Sequence, residues 1–242
     1  MLLPALDQNN VNVFLLKDSK VFDEPLIKHW YQHLSQEEKN KYHKFYFEKD
    51  RRLYLLSHAM LRQVLSQYLG CSTQVLKFGI NKYGKPHLLD YPECHFNLSH
   101  SKQATALVVN QGAKLTLGID IEYFKGRDEV INLATNYFSK QECILLDSYS
   151  NSEKNEIFFR LWTLKESYIK AIGKGLSIDL GSFSFNEIGK NIKVSHYANE
   201  ANNYWEFSQK KVYDEYFLAL AIRCNNDELD KLVVKIVEYL PV

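Results

Sequence analysis

Two acidic side chains stand two positions apart in the segment 115–122, which reads Leu-Thr-Leu-Gly-Ile-Asp-Ile-Glu. This alternation predicts a strand whose four apolar residues share one face, while Asp120 and Glu122 project together from the other. Gly118 lies on the face of the carboxylates and leaves room beside them for a close approach. Paired carboxylates can bind a cation, although a solvent-exposed strand edge would show the same pattern.

A second charged group lies in the segment 162–174, Trp-Thr-Leu-Lys-Glu-Ser-Tyr-Ile-Lys-Ala-Ile-Gly-Lys, which predicts a helix. Glu166 and Lys170 are four residues apart and share a helix face, whereas Lys165 lies one residue off that face. Carboxylates contributed by two elements suit Mg²⁺, which takes a few protein oxygens and completes its octahedron with water and substrate phosphates. An ordinary ion pair between Glu166 and Lys170 is the alternative that the spacing leaves open.

Two further blocks lie upstream, Phe96-Asn-Leu-Ser-His-Ser101 and Tyr83-Gly-Lys-Pro86. In this order and at this spacing, the four blocks resemble the Sfp-type 4′-phosphopantetheinyl transferases. Enzymes of that family move 4′-phosphopantetheine from coenzyme A to a serine of an apo acyl or peptidyl carrier protein and release 3′,5′-adenosine bisphosphate. The resemblance covers over half of the chain, from about residue 35 to about residue 185.

The resemblance implies an Mg²⁺-dependent transferase with coenzyme A as its substrate. Asp120, Glu122 and Glu166 match the family's magnesium ligands, and Lys170 would neutralise or protonate the departing phosphate. The adenine would lie at the turn 83–86, with Lys85 adding positive charge. The residues predicted to contact coenzyme A are Lys41, Lys49, Tyr83, Gly84, Lys85, Pro86, Ser99, His100 and Lys125.

The phosphate contacts leave alternatives open. From the residues alone, His100 is a hydrogen-bonded turn residue after a strand, whereas the resemblance places it near a phosphate. A group of basic residues in the first helices predicts a phosphate-facing surface, with a solvated face as the alternative; these residues are Lys39, Lys41, Lys44, Lys49, Arg51, Arg52 and Arg62. Glu38 stands where some family members carry lysine, so the 3′-phosphate site departs from the family pattern there.

Glu142 has two predicted roles. By resemblance it is a general base that deprotonates the carrier serine. In the segment 138–142, Phe-Ser-Lys-Gln-Glu, it also stands at N3 of a capping box, where its side chain would bond the backbone of Ser139. The two roles are compatible, and we retain both.

The elements that position these residues form a faint internal repeat. Capping boxes begin at Ser35 and Ser139, and a second helix follows each, over 50–69 and 152–172. These helices end at Gly70 and Gly173, which lie 35 and 34 residues after their capping serines. Short strands are predicted over 75–80, 183–185, 192–196, 204–208 and 216–223, together with a hairpin of 104–109 and 115–123.

The repeat predicts an α+β fold of two similar lobes, a pseudo-two-fold duplication, with a ligand cleft between them. We place the N-terminal lobe at 1–112 and the C-terminal lobe at 113–242. With 242 residues, 30 Lys plus Arg against 29 Asp plus Glu, the chain shows no global attraction for nucleic acid or membrane.

The remaining features of the sequence predict a cytoplasmic protein. The N-terminus lacks the basic and long apolar regions of a signal peptide, and no segment approaches the roughly 20 apolar residues of a membrane span. The four cysteines are scattered, which argues against a zinc site or a disulfide framework. Relatives of this length generally act as monomers, and we expect the same here.

Two other functions are compatible with parts of the sequence. A coenzyme A-binding or carrier-docking module without turnover is the main alternative, although binding alone does not require Asp120, Glu122, Glu166 and Lys170 together. Nucleic-acid binding through the basic helices conflicts with the net charge of +1 and with the lack of a known motif.

Overall fold

The computed structural model describes residues 3–18, 24–112, 115–125, 130–186, 188, 191–196, 205–224 and 231–239. Contacts among them divide the chain into two compact units. The first comprises Met1–Gly79, His87–Ala113 and Val233–Val242, and the second comprises Ile80–Pro86 and Lys114–Leu232. A change of unit therefore lies beside the predicted lobe boundary, but each unit also contains a segment from the other half of the sequence.

The described helices are α1 (Glu24–His33), α2 (Gln36–Tyr42), α3 (Glu48–Leu69), α4 (Val130–Tyr137), α5 (Lys140–Asp147) and α6 (Asn151–Ile172). The strands are β1 (Asn10–Lys17), β2 (Phe78–Ile80), β3 (Pro86–Leu88), β4 (Cys94–Ser101), β5 (Ala104–Gln111), β6 (Leu115–Tyr123), β7 (Phe183–Phe185), β8 (Val194–His196), β9 (Trp205–Val212), β10 (Tyr216–Cys224) and β11 (Val233–Glu238). Short 3₁₀ turns occupy Thr73–Val75, Gly175–Ser177 and Leu180–Ser182. This content confirms the predicted α+β class.

The first unit is built on a four-stranded sheet in the order β11-β1-β5-β4. Strand β11 runs parallel to β1, and the neighbouring β1–β5 and β5–β4 pairs are antiparallel. Apolar residues of α1 and α3 form one core with residues of the sheet, among them the fully buried Trp30, Met60 and Phe14. Burial of these large side chains supplies the main stabilisation of the unit.

The second unit contains the antiparallel sheet β6-β10-β9 and the long helix α6, which packs against β6 and β10. Its core is rich in aromatic side chains. Phe158 stacks on Phe138 at 4.9 Å between ring centroids, and Tyr168 lies 4.8 Å from Phe183. The fold therefore holds α6, with its predicted site residues, firmly against the strand that carries the carboxylate pair.

The predicted repeat of helices is confirmed. Both capping boxes form, at Ser35 and at Ser139, and each places a Glu at N3. The long helices α3 and α6 end at Gly70 and Gly173, whose φ angles of 63° and 73° lie in the left-handed region that favours glycine. The capping and glycine signals are local, which explains why the sequence locates them closely.

The predicted hairpin of 104–109 and 115–123 is wrong. Strand β5 pairs with β1 and β4, and strand β6 pairs with β10. Because β1 and β4 occupy both edges of β5, no edge remains for β6. The two strands are adjacent in sequence but belong to different sheets, and residues 113–114 between them lie outside the described residues.

Other strand predictions are partly correct. Strand β7 matches its prediction, while β8 begins at Val194 and the predicted strand 75–80 is a 3₁₀ turn followed by β2. The prediction for 204–208 corresponds to the longer β9, with residue 204 outside the described range. Helices α1 and α4 and strands β1 and β11 were not predicted.

The four cysteines, Cys71, Cys94, Cys143 and Cys224, are free thiols. No helix in the described part of the chain combines the length and the apolar character needed to cross a membrane.

Candidate active site

A glycine brings strand β6 and helix α6 into direct backbone contact. A Cβ placed on Gly118 would overlap the carbonyl oxygen of Ser167 and the backbone nitrogen of Ala171. The neighbouring strand opposes Gly118 with the small residue Ala221. The room that the sequence predicted beside the carboxylates is thus filled by α6 itself, and the carboxylate face of β6 is the face that the helix covers.

This contact brings the predicted metal ligands close to the predicted catalytic lysine. Lys170 Nζ lies 2.6 Å from Asp120 Oδ1, and the Asp120 side chain is only 3% exposed. Glu166 lies one turn before Lys170 on α6. Burial, together with the negative charges of Asp120 and Glu122 and against the positive charge of Lys170, raises the pKa of Glu166 to about 7. Asp120, Glu122 and Glu166 therefore share one electrostatic environment, to which Lys170 contributes positive charge.

The donor set of this site fits a hard cation. Within the described ranges, no three His, Cys, Asp or Glu side chains are gathered closely enough to hold a metal ion. Asp120 is paired with Lys170 instead. Mg²⁺ takes a few protein oxygens and draws its other ligands from water and substrate phosphates, so it does not require a closed protein cage. The carboxylates of β6 and α6 are suited to that partial role.

The loop 80–86 is attached to the C-terminal end of α6. Lys85 Nζ donates hydrogen bonds to the carbonyl oxygens of Leu117 and Ala171, both at 2.9 Å. Asn81 Nδ2 donates to the carbonyl oxygen of Gly173 at 2.8 Å. Burial lowers the pKa of Lys85 to about 8. The Lys85 ammonium group therefore bonds to the backbone of the second unit. This role differs from the predicted one, in which Lys85 adds positive charge beside the adenine.

The other residues of this loop are more accessible. The segment 83–86 forms the predicted turn into β3, and Gly84 has a φ of 91°, which explains why glycine stands there. Tyr83 is 41% exposed, and Lys82 Nζ lies 4.9 Å from its ring centroid. Pro86 begins β3. The predicted contacts of Tyr83, Gly84 and Pro86 with coenzyme A remain predictions.

Glu142 lies inside the core of the second unit. Its Oε2 accepts hydrogen bonds from the Ser139 backbone at 2.9 Å and from Lys165 Nζ at 2.7 Å, and its Oε1 accepts from the Phe185 backbone at 2.9 Å. Its side chain has no exposed surface. The capping role is confirmed, and the role of general base stays a prediction.

Lys165 is the fully buried partner of Glu142. Its ammonium group also donates to the carbonyl oxygens of Leu180 and Phe183, at 2.7 and 2.8 Å. Burial lowers the pKa of Lys165, and the charge of Glu142 opposes that shift. Lys165 thus joins α6 to α5 and to the segment after α6, and it lies away from the Glu166–Lys170 face as the helix spacing predicted.

The first unit contains a corresponding buried pair that the sequence reading missed. Arg62 Nε bonds Glu38 Oε2, and Arg62 also donates to the carbonyl oxygens of Thr73 and Leu76. Arg62 is only 3% exposed, so its predicted place in a phosphate-facing surface is wrong. The available signal was positional, because Arg62 and Lys165 each stand eight residues before the glycine that ends their helix.

The departure at Glu38 has a structural explanation. Its carboxylate caps Ser35 and binds both His58 and Arg62. Burial alone would raise the pKa of Glu38, but these hydrogen bonds and the charge of Arg62 lower it to about 2. A lysine at this position would oppose Arg62, so a glutamate is what this unit requires.

The remaining predicted phosphate contacts are lysines near the protein surface. Lys41 Nζ lies 5.3 Å from the ring centroid of Tyr54, and Lys49 Nζ lies 5.6 Å from that of Phe47. Lys125 follows β6, and its Nζ lies 3.6 Å from a carboxylate oxygen of Glu215. Their contacts with coenzyme A stay predictions.

Ser99 and His100 lie within β4 rather than after a strand, so the turn expected for His100 is wrong. Because side chains alternate along a strand, the two residues point to opposite faces. Ser99 is buried and His100 is exposed. Strand β4 is an edge of its sheet. A ligand that contacts one face of this edge would therefore contact either Ser99 or His100, but not both.

Comparisons with known proteins match the segments that carry these residues. The family model of the 4′-phosphopantetheinyl transferase superfamily matches residues 116–221. A model described as 4′-phosphopantetheinyl transferase, N-terminal, matches residues 24–112. Together these matches contain every residue assigned above to the carboxylate site and to the coenzyme contacts.

Individual relatives are similar over long segments. The 4′-phosphopantetheinyl transferase gsp of Aneurinibacillus migulanus is 33% identical over 173 residues, which cover 72% of this chain and 70% of that protein. The 4′-phosphopantetheinyl transferase Sfp of Bacillus subtilis is 36% identical over 62% of this chain, and the match spans 65% of the length of Sfp. The mouse L-aminoadipate-semialdehyde dehydrogenase-phosphopantetheinyl transferase is 28% identical over 78% of this chain and 67% of its own length. The chain belongs to the 4′-phosphopantetheinyl transferase superfamily.

Proposed function

We propose that this protein transfers the 4′-phosphopantetheine group of coenzyme A to a serine of an apo acyl or peptidyl carrier protein and releases 3′,5′-adenosine bisphosphate. Membership of the superfamily supports the reaction class. The observation that carries the proposal is the grouping of Asp120, Glu166 and Lys170, in which a lysine lies 2.6 Å from one carboxylate and one helical turn from another.

The proposed reaction is an exchange of one P–O bond for another. The serine hydroxyl gives up its proton to a basic group or to water, and its oxygen bonds to the β-phosphorus. The bond from that phosphorus to the bridging oxygen breaks, and the electron pair leaves on the 5′-phosphate of adenosine bisphosphate. Positioning and charge stabilisation dominate such transfers. We propose that Lys170 serves both needs; the hydrogen bond of 2.6 Å to Asp120 Oδ1 supports this role because it fixes the position of the ammonium group.

Asp120, Glu122 and Glu166 are the residues that we propose to hold Mg²⁺. When bound, the ion would supply positive charge to the pyrophosphate oxygens. The electrostatics of the chain fit this role, because the pKa of Glu166 is raised by burial and by its two acidic neighbours. A cation between these carboxylates would favour the ionised form of Glu166, and Glu166 in turn would favour binding of the cation.

The contacts with coenzyme A belong to the same proposal and are supported by the family resemblance. They involve Lys41, Lys49, Tyr83, Gly84, Lys85, Pro86, Ser99, His100 and Lys125. For Lys85 we propose backbone contacts only, because its ammonium group is already bonded to two carbonyl oxygens.

We further propose that the protein acts as a monomer in the cytoplasm, with coenzyme A and a carrier protein as its partners. Four free thiols fit a reducing compartment. The near-neutral charge balance fits partners other than nucleic acid or an anionic membrane.

The decisive experiment incubates the protein with coenzyme A, Mg²⁺ and a panel of apo carrier proteins from fatty acid, polyketide and peptide synthesis. Intact-mass spectrometry should show a carrier that gains the mass of one phosphopantetheine group. Coenzyme A binding without any modified carrier would instead support a binding module, and would contradict the proposed transfer.

A matched pair of variants tests the site. Glu166→Gln should lower turnover by roughly two orders of magnitude or more, because it removes a carboxylate from the proposed metal site. Glu156→Gln changes a half-exposed carboxylate on the same helix, whose partner Lys211 lies 3.8 Å away, and should retain normal turnover. Normal turnover of Glu166→Gln at saturating Mg²⁺ would remove Glu166 from the site.

A further inference from the structure

Two histidines of α1 converge on the surface of the first unit. His29 and His33 are four residues apart, so they share one face of the helix. Their Nε2 atoms lie 3.2 Å apart, and their rings are nearly perpendicular, with centroids separated by 4.8 Å. None of the residues assigned to the transfer reaction belongs to this pair.

The separation of the two nitrogens suits one shared metal ion. With Zn–N bonds of about 2.0–2.1 Å, two imidazole nitrogens on a tetrahedral Zn²⁺ stand about 3.4 Å apart, and about 2.9 Å apart at a right angle. The observed Nε2–Nε2 distance of 3.2 Å lies between these values. The two side chains could therefore bind one ion with little rearrangement of the helix.

The surroundings of His33 favour the form that binds metal. Its other ring nitrogen, Nδ1, lies 3.3 Å from Thr73 Oγ1. A histidine ligand usually donates its second N–H to such an oxygen, which fixes the ring and directs Nε2 towards the metal. The hydrogen bond that now joins the two Nε2 atoms is the contact that a metal ion would replace. Burial, and then the charge of His29, lower the pKa of His33. Both effects favour the neutral imidazole, the form that a metal requires.

A small cavity beside the pair provides space for further ligands. It has a volume of about 230 Å³ and is lined by the two histidines together with the side chains of Gln63, Thr73 and Tyr239, among others. Tyr239 donates a hydrogen bond to Gln63 Oε1 at 2.8 Å, so this polar wall is itself ordered. Metal-bound water could bond to these groups, as the open positions of a two-histidine site require.

We propose that His29 and His33 bind one late first-row transition-metal ion of the Zn²⁺ class, with water in the remaining positions. No third His, Cys, Asp or Glu completes such a group among the described residues, so the site is a two-ligand chelate. Imidazole nitrogen selects these ions over Mg²⁺, which prefers oxygen. The site therefore binds a different class of metal from the carboxylate site, and it does not depend on the proposed transferase activity.

The test measures Zn²⁺ binding to the full chain without a histidine tag, by calorimetry in an excess of Mg²⁺. Wild-type protein should bind Zn²⁺ at this site, and His29→Ala and His33→Ala should each weaken that binding at least tenfold. His87→Ala, which removes an exposed histidine in β3, should bind as wild type does. Wild-type affinity in both α1 variants, or no Zn²⁺ binding by the wild type at millimolar concentration, would overturn the proposal.

Electron paramagnetic resonance with substoichiometric Cu²⁺ provides a second measurement, which identifies the type of ligand rather than the strength of binding. The nitrogen hyperfine pattern should indicate two imidazole ligands in wild-type protein and one in His29→Gln, where the change is at an exposed position and leaves the helix intact. Circular dichroism would verify folding. A spectrum with oxygen ligands only, or one that does not change in His29→Gln, would contradict the site.

Discussion

The Glu142 carboxylate accepts hydrogen bonds from three groups of its own unit, and these contacts limit its freedom to act as a base. Both carboxylate oxygens accept hydrogen bonds, and the partner Lys165 is as deeply buried as Glu142 itself. A general base must reach the proton that it removes, either directly or through one water. For Glu142 that would require the helix start at Ser139 to open. These contacts account for a glutamate at position 142 without any catalytic role.

Substitution of Glu142 separates the two roles. Glutamine can still close the capping box, but it leaves the charge of Lys165 without its carboxylate, so Glu142→Gln should lower the free energy of unfolding by about 3 kcal/mol. The double variant Glu142→Gln, Lys165→Met removes that charge and should recover much of the loss. Urea denaturation of the single and double variants would measure both effects.

The folded double variant also tests catalysis. If Glu142 is the base, its turnover should fall by something like 10²–10⁴-fold even where the protein is fully folded. Turnover near that of wild type would show that Glu142 and Lys165 act only in the fold, and that another group accepts the serine proton.

The elements show which part of the site was predictable. Alternation along β6 paired Asp120 with Glu122, and the spacing along α6 paired Glu166 with Lys170, whereas the family resemblance was needed to join the two pairs in one site. The sequence did not indicate that α6 covers the carboxylate face, because that face is usually the solvent side of a strand. Small residues, Gly118 and its cross-strand neighbour Ala221, make the contact possible. Such packing depends on a partner distant in sequence, which a local pattern cannot specify.

The close contact of β6 and α6 should not tolerate a methyl group. Gly118→Ala would force the helix away from the strand, and we expect a loss of about 3 kcal/mol or more in the free energy of unfolding together with a large loss of turnover. Thr116→Ala, two residues earlier on the same face of β6, is the control and should cost much less. Thermal unfolding of both variants provides the comparison; equal stability of the two would show that Gly118 does not set this packing.

The same arrangement of elements occurs in both units. In each, the glutamate at N3 of a capping box binds a basic residue of the long helix, as Glu38–Arg62 or as Glu142–Lys165. The basic residue then donates to backbone carbonyl oxygens that follow the helix. The sequence showed the capping boxes but not these pairs, because a basic residue on a helix is ordinarily exposed and only the fold buries it.

The Glu38–Arg62 pair of the first unit predicts that the free energy of unfolding depends on pH. The pKa of Glu38 is lowered to about 2 in the folded protein from an ordinary value of 4.5, so the unfolded chain binds the proton more readily. The contribution of Glu38, on the order of 3 kcal/mol, should be complete above about pH 5 and should be lost as the pH falls towards 2.

Urea denaturation between pH 3 and pH 6 would measure this dependence. Glu38→Gln should be less stable than wild type at pH 6 and should show a smaller change with pH. Exposed Glu37, its neighbour in α2, provides the control substitution Glu37→Gln. Parallel curves for wild type and Glu38→Gln would contradict the prediction.

At the scale of the whole molecule, the connections between distant segments were the least predictable feature. The loop 80–86 belongs to the second unit, and β11 belongs to the first. Polar groups of Asn81 and Lys85 fix the loop to the end of α6, whereas β11 pairs with β1. Neither connection has a local signature, because hydrogen bonding between strands and to helix ends depends on chain segments far apart in sequence. The repeat in the sequence therefore predicted that there are two α+β lobes, but it did not predict which segments belong to each unit.

Strand β11 should stabilise the first unit although it follows the second in sequence. Removal of the chain after residue 230 would expose the edge of β1 and would remove the buried Tyr239, which bonds Gln63 of α3. Hydrogen–deuterium exchange should then accelerate in β1 and α3, with a smaller change in β10 and α6. Tyr239→Phe keeps the buried ring and removes only the hydrogen bond, so it should cost about 1 kcal/mol and leave the protection of β1 in place. Unchanged exchange in β1 of the truncated chain would show that β11 adds little to the sheet. Faster exchange confined to the first unit would show that β11 completes the fold of that unit.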